Sequence, residues 1–307
     1  MAHAQKGIVE ETKQHSLFLI FKVTNPKKNA RGVASECAAV PSLVESVGQL
    51  DPSASLSGTV SFGSGFWDAV SPGRRPRQLH PFKPITSGGR KAPSTGGDLL
   101  FHINSKRVDL NFELGRRITM ALGKSVKVVD EVEGFSYLDS RDLTGFIDGT
   151  ANPKGDERAA VALIGDKDAE WRGSSYVLTQ RYVHNLDKWA TLSNKEQEQV
   201  IGRTKADSTE LSEEEKPPTA HISRVEIEEE GEELKIVRHS MPYGKAAGEA
   251  GLFFIAYAKD ARIFEKMLNR MFVPTKEGVY DHLMDYTRPV SGAIFFAPSL
   301  DQLKRLA

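Results

Sequence analysis

Asp98-Leu99-Leu100-Phe101-His102-Ile103-Asn104-Ser105-Lys106 recurs in pattern as Gly251-Leu252-Phe253-Phe254-Ile255-Ala256-Tyr257-Ala258-Lys259, displaced by 153 residues, half of a chain of 307. Both stretches are strand-sized and rich in residues that suit a pleated, buried surface. Each runs into a helix-like segment. Leu110, Leu114, Ile118 and Ala121 share one helical face after the first, and Phe264, Met267, Leu268 and Met271 share one after the second. Upstream, the strand-like stretch from Ser16 to Val23 has a counterpart between Ser174 and Val183. A repeat on this scale predicts a duplicated α+β architecture. Strands and helices alternate without the regular βαβ rhythm of a parallel sheet, so each half is expected to carry an antiparallel sheet with helices on one face. Turn formers and charges gather between Asn152 and Glu157, which predicts halves of 1–153 and 154–307.

The composition narrows the function classes. Lys plus Arg equals Asp plus Glu at 41 each, so no field of one sign points to nucleic acid or an anionic membrane surface. The longest apolar runs are strand-sized, far short of the roughly 20 residues that cross a bilayer. Met1 to Glu11 is polar and mixed in charge and carries no secretory signal, so a cytoplasmic location is expected. The only cysteine, Cys37, excludes an intramolecular disulfide and a cysteine-cluster metal site. Ser71 to Gly97 reads as a long basic surface loop. Gly202 to Thr219 reads as a polar loop, and Ser193-Asn194-Lys195-Glu196 before it reads as a capping box.

Chemistry gathers at three places. Gly145-Phe146-Ile147-Asp148-Gly149-Thr150, followed by Ala151-Asn152-Pro153, sets an aspartate in a glycine frame that lets backbone approach a bulky ligand. Alone, the string also reads as an Asp-Gly turn with a solvated carboxylate. His221 follows Pro217-Pro218-Thr219-Ala220 and has Arg224 three positions on. Arg238-His239-Ser240-Met241-Pro242-Tyr243-Gly244 adds a permanently charged guanidinium before a Pro-aromatic-Gly turn; alone it could equally pair with Glu228-Glu229-Glu230. No His-Glu-x-x-His, GxGxxG or Gly-x-Ser-x-Gly string is present. One histidine, one arginine and one glycine-framed aspartate are nearly all that a redox centre on one axial imidazole requires.

These residues carry a family resemblance. The chain resembles the dye-decolourising peroxidases, a haem enzyme family, and within them the bacterial B-type group. The likeness runs through Ala92 to Leu100, Gly145 to Pro153, His221 to Arg224, Arg238 to Gly244, Gly251 to Phe254, and Asp281 to the closing Gly292-Ala293-Ile294-Phe295-Phe296-Ala297-Pro298-Ser299. It implies two ferredoxin-like halves with one haem b per chain in the C-terminal half. It implies that His221 is the axial ligand of the iron, supported by Asp281 or, as the alternative, Asp285. Asp148 and Arg238 would form the catalytic distal face, Arg238 stabilising charge and Asp148 moving a peroxide proton. Arg224 would reach a propionate. Ser240 would stand where the B-type pattern often has asparagine, Leu252 and Phe254 would wall the pocket, and Ile147, Gly149 and Thr150 would lie against the porphyrin.

The activity implied is reduction of hydrogen peroxide with one-electron oxidation of phenolic, dye-like or porphyrinogen donors. The alternative is a haem-handling protein that stores, transports or strips iron from porphyrin. Small aromatic reductants are the expected partners; Trp67, Trp171, Trp189 and Tyr243 read first as packing residues, with electron relay from donors too bulky to enter as the lesser alternative. Family habit suggests a homo-oligomer. It also suggests packaging in a protein shell, against which the chain's ending at Leu303-Lys304-Arg305-Leu306-Ala307 counts.

Overall fold

The structure is a computed structural model that describes residues 3–307. The first half contains β1 (His15–Val23), α1 (Pro26–Gly48), β2 (Ser57–Gly63), α2 (Ser64–Val70), a small hairpin of β3 (Ile85–Ser87) and β4 (Arg90–Ala92), β5 (Leu99–Ser105), α3 (Val108–Leu122) and β6 (Val126–Phe135). The second opens on α4 (Glu157–Ala162), β7 (Ser175–His184), α5 (Leu186–Ala190), α6 (Asn194–Ile201) and α7 (His221–Val225). A hairpin of β8 (Glu228–Glu229) and β9 (Glu232–Glu233) precedes β10 (Val237–Arg238), β11 (Met241–Gly244) and β12 (Ala250–Ala258). The chain closes with α8 (Arg262–Phe272), β13 (Thr287–Pro289), β14 (Ala293–Ala297) and α9 (Leu300–Lys304).

The strand order β10-β12-β7-β14-β2-β5-β1-β6 contains the same arrangement twice. Numbered within its half, each set runs second, third, first, fourth, the antiparallel order of a ferredoxin-like sheet. The segments that repeat in sequence, β5 with β12 and β1 with β7, hold equivalent places. Instead of two separate sheets, the halves share one, because β14 pairs with β2 at Phe295–Gly63 and Phe296–Phe62.

Alternation along the strands shows how both faces are buried. Leu17, Leu19 and Phe21 of β1, with Leu99, Phe101 and Ile103 of β5, face outward into a core shared with α1 and α3. Phe18, Ile20 and Leu100 face inward and meet Phe253, Ile255 and Tyr257 of β12. Phe18 stacks on Phe253 with ring centroids 4.1 Å apart, so the sheet curls until the two halves cover each other's inner faces. Where β6 comes round to β11, a Cβ on Gly134 would lie 2.7 Å from that of Met241, and only glycine permits this approach.

Two local expectations change. On α3 the buried stripe is Leu110, Leu114, Ile118 and Leu122, four residues apart, while Ala121 is exposed. The basic stretch from 71 to 97 contains the β3–β4 hairpin, and Arg90 of that hairpin lies over the Tyr280 ring. The capping box forms as read, with Ser193 and Glu196 bonded reciprocally at the start of α6.

Candidate functional site

In the first half the layer between sheet and helices is filled by α1 and α3. In the second half the same layer opens into a cavity. Its floor is the outer face of β7 and β12, with Leu178, Leu252 and Phe254, and its opposite wall is α8, with Phe264, Met267 and Leu268. Met267, read as a core residue, lines this space. The loop from Ile147 to Ala151 forms the rim, and His221 enters from α7.

His221 is held by its Nδ1, 2.6 Å from Oδ2 of Asp281. Asp281 is fully buried, and its other oxygen accepts the Leu283 amide at 2.9 Å, capping a short 3-10 turn. A carboxylate at Nδ1 makes that nitrogen the donor and leaves Nε2 as the ring nitrogen able to bind a metal. Asp285 is turned elsewhere and accepts from the Tyr280 hydroxyl at 3.1 Å.

Across the cavity, Arg238 donates from a guanidinium nitrogen to Asp148 Oδ1 at 3.0 Å, joining residues 90 positions apart. The Asp148 loop is fastened along its length. The Asp148 amide donates to the Ser140 carbonyl, and Arg141 donates to the carbonyls of Gly145, Lys205 and Ala206. The Thr150 and Ser208 hydroxyls lie 2.8 Å apart. Phe146 packs edge-on against Trp189, whose Nε1 donates to the Thr144 carbonyl.

The structure therefore brings His221, Asp148, Arg238, Ile147, Gly149, Thr150, Leu252 and Phe254 around one cavity, with Asp281 behind His221. Arg224 and Ser240 stand apart from the lining. Arg224 is buried and donates to the Arg270 carbonyl at 3.1 Å, and the Ser240 hydroxyl accepts the Ile255 amide at 3.4 Å. Besides Arg238, the cations that line the cavity are Arg203 and Lys235, which sequence reasoning passed over. It also missed Asp142, which lies 3.1 Å from His184 Nε2, while His184 Nδ1 lies 2.7 Å from the Thr287 hydroxyl. Burial pushes the Asp142 carboxyl up, but the adjacent His184 ring and hydrogen bonds from Thr144 outweigh it and hold the group down at about 2. Asp142-x-Thr144 is a turn signature legible in the sequence, but its partner is 42 residues away. Trp67, Trp171, Trp189 and Tyr243, read first as packing residues, are all buried.

A cavity walled by sheet and helix in a twice-repeated ferredoxin-like fold, with the Asp281-backed His221 imidazole facing an Asp–Arg pair, has the form of a pocket for a redox group held on one imidazole. The chain belongs to the Dyp-type peroxidase family: "Dyp-type peroxidase, N-terminal" matches residues 5–136 and "Dyp-type peroxidase, C-terminal" matches 139–302. It is 45% identical over 266 residues to a dye-decolorizing peroxidase of Mycobacterium tuberculosis, covering 86% of this chain and 79% of that one. A variant of DypB from Rhodococcus jostii RHA1 solved in complex with heme is 42% identical, with a TM-score of 0.95 and full coverage of both chains. The encapsulated DyP-type peroxidase from Mycobacterium smegmatis is 38% identical, with a TM-score of 0.95 over 99% of this chain and 98% of that one.

Proposed function

We propose that this chain is a haem peroxidase that reduces hydrogen peroxide to water and takes the two electrons, one at a time, from aromatic donors. The observation that carries the reading is the 2.6 Å contact between His221 Nδ1 and Asp281, set across the cavity from Asp148 and Arg238. The donor set suits haem. Among the described residues no three His, Cys, Asp or Glu side chains converge on a bare ion, and His184, the other imidazole lining the cavity, has both ring nitrogens engaged by Asp142 and Thr287, so His221 by itself needs a metal that brings its own equatorial ligands. Arg203, paired with Glu210 and Glu226, and Lys235, paired with Glu157 and Glu233, are the cations that would share their charge with the carboxylates of such a group.

His221 would hold the iron, and Asp281 keeps the ring in one tautomer and strengthens its donation. A bound haem would supply the redox chemistry, passing to peroxide two electrons that two donor molecules replace one at a time. Asp148 takes the proton from the near peroxide oxygen and returns it to the far one, which leaves as water. The Arg238 guanidinium stabilises the negative charge that builds while the O–O bond breaks. Leu252 and Phe254 exclude water from the reacting oxygens.

The finer assignments belong to the same proposal. Small aromatic donors, cytoplasmic work, homo-oligomeric assembly and a duplication boundary at residues 153/154 rest on family likeness and on the repeat. Among the described residues no helix is long and apolar enough to cross a membrane. A packaged life inside a shell is supported by the encapsulated Mycobacterium smegmatis relative alone.

The test is a Soret spectrum of the haem-loaded protein with and without stoichiometric peroxide, on the wild type and on Asp148→Ala combined with Arg238→Ala. The expected outcome is a peroxide-dependent shift that slows by at least about 10²-fold in the double variant. An unchanged rate removes both distal roles.

A further inference from the structure

The Asp148–Arg238 pair is partly open to solvent, and ion pairs of that kind are too weak and too mobile to fix their own geometry. A second link is built into the backbone. The His239 amide donates to the Ile255 carbonyl, so β10 is bonded to β12 along one edge. In an antiparallel strand the intervening residue turns its N–H and C=O to the opposite edge. At Arg238 both of those groups are met by one side chain. Asn152 Nδ2 donates to the Arg238 carbonyl at 2.8 Å, and the Arg238 amide donates to Asn152 Oδ1 at 2.9 Å.

Asn152 therefore takes the place of a neighbouring strand, and a primary amide is the side chain whose paired donor and acceptor can do so. It is four residues beyond Asp148. The Asn152 amide donates to the Gly149 carbonyl at 2.9 Å, and Gly149 sits at φ +82°, so the connecting turn is tight. Six residues beyond Asn152, Arg158 of α4 is buried to 3% exposure. Its guanidinium donates to the carbonyls of Val9, Glu10 and Pro153 and lies 3.1 Å from His239 Nε2. One cation thus holds the carbonyl of the residue after Asn152 and lies against the ring of the residue after Arg238, whose Nε2 also sits 3.0 Å from the Ile8 carbonyl.

We propose that Asn152, backed by Arg158, is the positioning clamp of the distal pair. It sets the Asp148 carboxylate against the Arg238 guanidinium for the peroxide step while touching neither substrate nor cofactor. The proposal rests on the peroxidase reading. Asn152→Ala removes both bonds. Asn152→Asp keeps the acceptor for the Arg238 amide and sets a carboxylate against the Arg238 carbonyl.

The test uses the haem-loaded enzyme and the full haem-free chain. Both variants should lose about 10–100-fold in kcat/KM for peroxide, the scale of a misplaced catalytic pair, while kcat/KM for the reductant changes by less than about twofold. Haem content and Tm should be retained, and amide exchange at Arg238 in the haem-free protein should accelerate. Arg158→Lys should show the same split.

The clamp is overturned if Asn152→Ala leaves peroxide kcat/KM within about twofold of wild type. It is equally overturned if both half-reactions, haem content and Tm fall together, which is simple loss of fold. Asp148→Asn run in parallel separates the two claims. If it leaves the peroxide step intact, the distal reading itself fails; if it slows that step and Asn152→Ala does not, only the clamp falls.

Discussion

At Asp281 both carboxylate oxygens are committed, one to His221 Nδ1 and one to the Leu283 amide. Asp281→Asn can still accept from Leu283 but turns an N–H₂ toward the imidazole, so the ring loses its acceptor. The expected outcome is haem affinity lower by about 10–100-fold and a higher reduction potential, read by haem-release kinetics and spectroelectrochemistry. Asp285→Asn, whose carboxylate serves the Tyr280 hydroxyl, should stay within about twofold on both measures. From the residues alone the two aspartates are hard to separate, since they stand four apart in one polar stretch. The 3-10 turn that Asp281 caps is what aims it inward. Arg224 illustrates the converse. Its His-x-x-Arg spacing is legible, but its Nε donates to the Arg270 carbonyl away from the cavity lining, and the cations that join Arg238 there are Arg203 and Lys235, whose surroundings read like any polar surface.

On the element scale, β5 carries its information on alternate residues. Leu99, Phe101 and Ile103 read as an outward core face, whereas His102 sits among the inward ones beside Phe18 and Tyr257. The residues predict helices on one face and assign no cover to the other; a continuous apolar run does not name its cover, since helices or another sheet satisfy the same residues equally. Because the cover is the other half's sheet, His102 and His239 are sealed together, with ring centroids 5.3 Å apart. Burial pushes both imidazoles down, His102 further by its neighbour His239, and His239 to about 3 with Arg158 as the next cause. The folded rings are thus neutral, while the unfolded chain takes up protons below about 6.5. Their contribution is complete above that pH and is lost as pH falls toward the folded value. Near pH 5 stability should fall by about 1.4 kcal/mol per pH unit for each ring. Urea unfolding at pH 5 and 6 reads the slope, and His102→Phe, which keeps an aromatic face for Phe18, should remove one ring's share. A flat stability profile over this range would mean the rings are hydrated.

For the whole molecule, duplication explains both the frame and its asymmetry. Two copies of one strand order are joined at a two-pair seam between β14 and β2; one copy fills its helix layer with α1 and α3, and the other leaves that layer open for the site. The 153-residue shift made the two copies legible. Their union was not, because the seam is short and its apolar residues are indistinguishable from any core strand. The union has a thermodynamic consequence. The inner core draws Phe18, Ile20 and Leu100 from one copy and Phe253, Ile255 and Tyr257 from the other. Separating the copies would expose both sets to water at once, each large side chain costing about 1.5–3 kcal/mol. Neither copy should therefore persist without its twin, despite each having a complete strand order. Scanning calorimetry of the haem-free chain should show one transition whose calorimetric and van't Hoff enthalpies agree. Haem should raise that single Tm as a whole, because a ligand of the folded state is linked to everything that unfolds with it. Two resolved transitions, with haem shifting only one, would show that the inner core is a contact between two self-sufficient units.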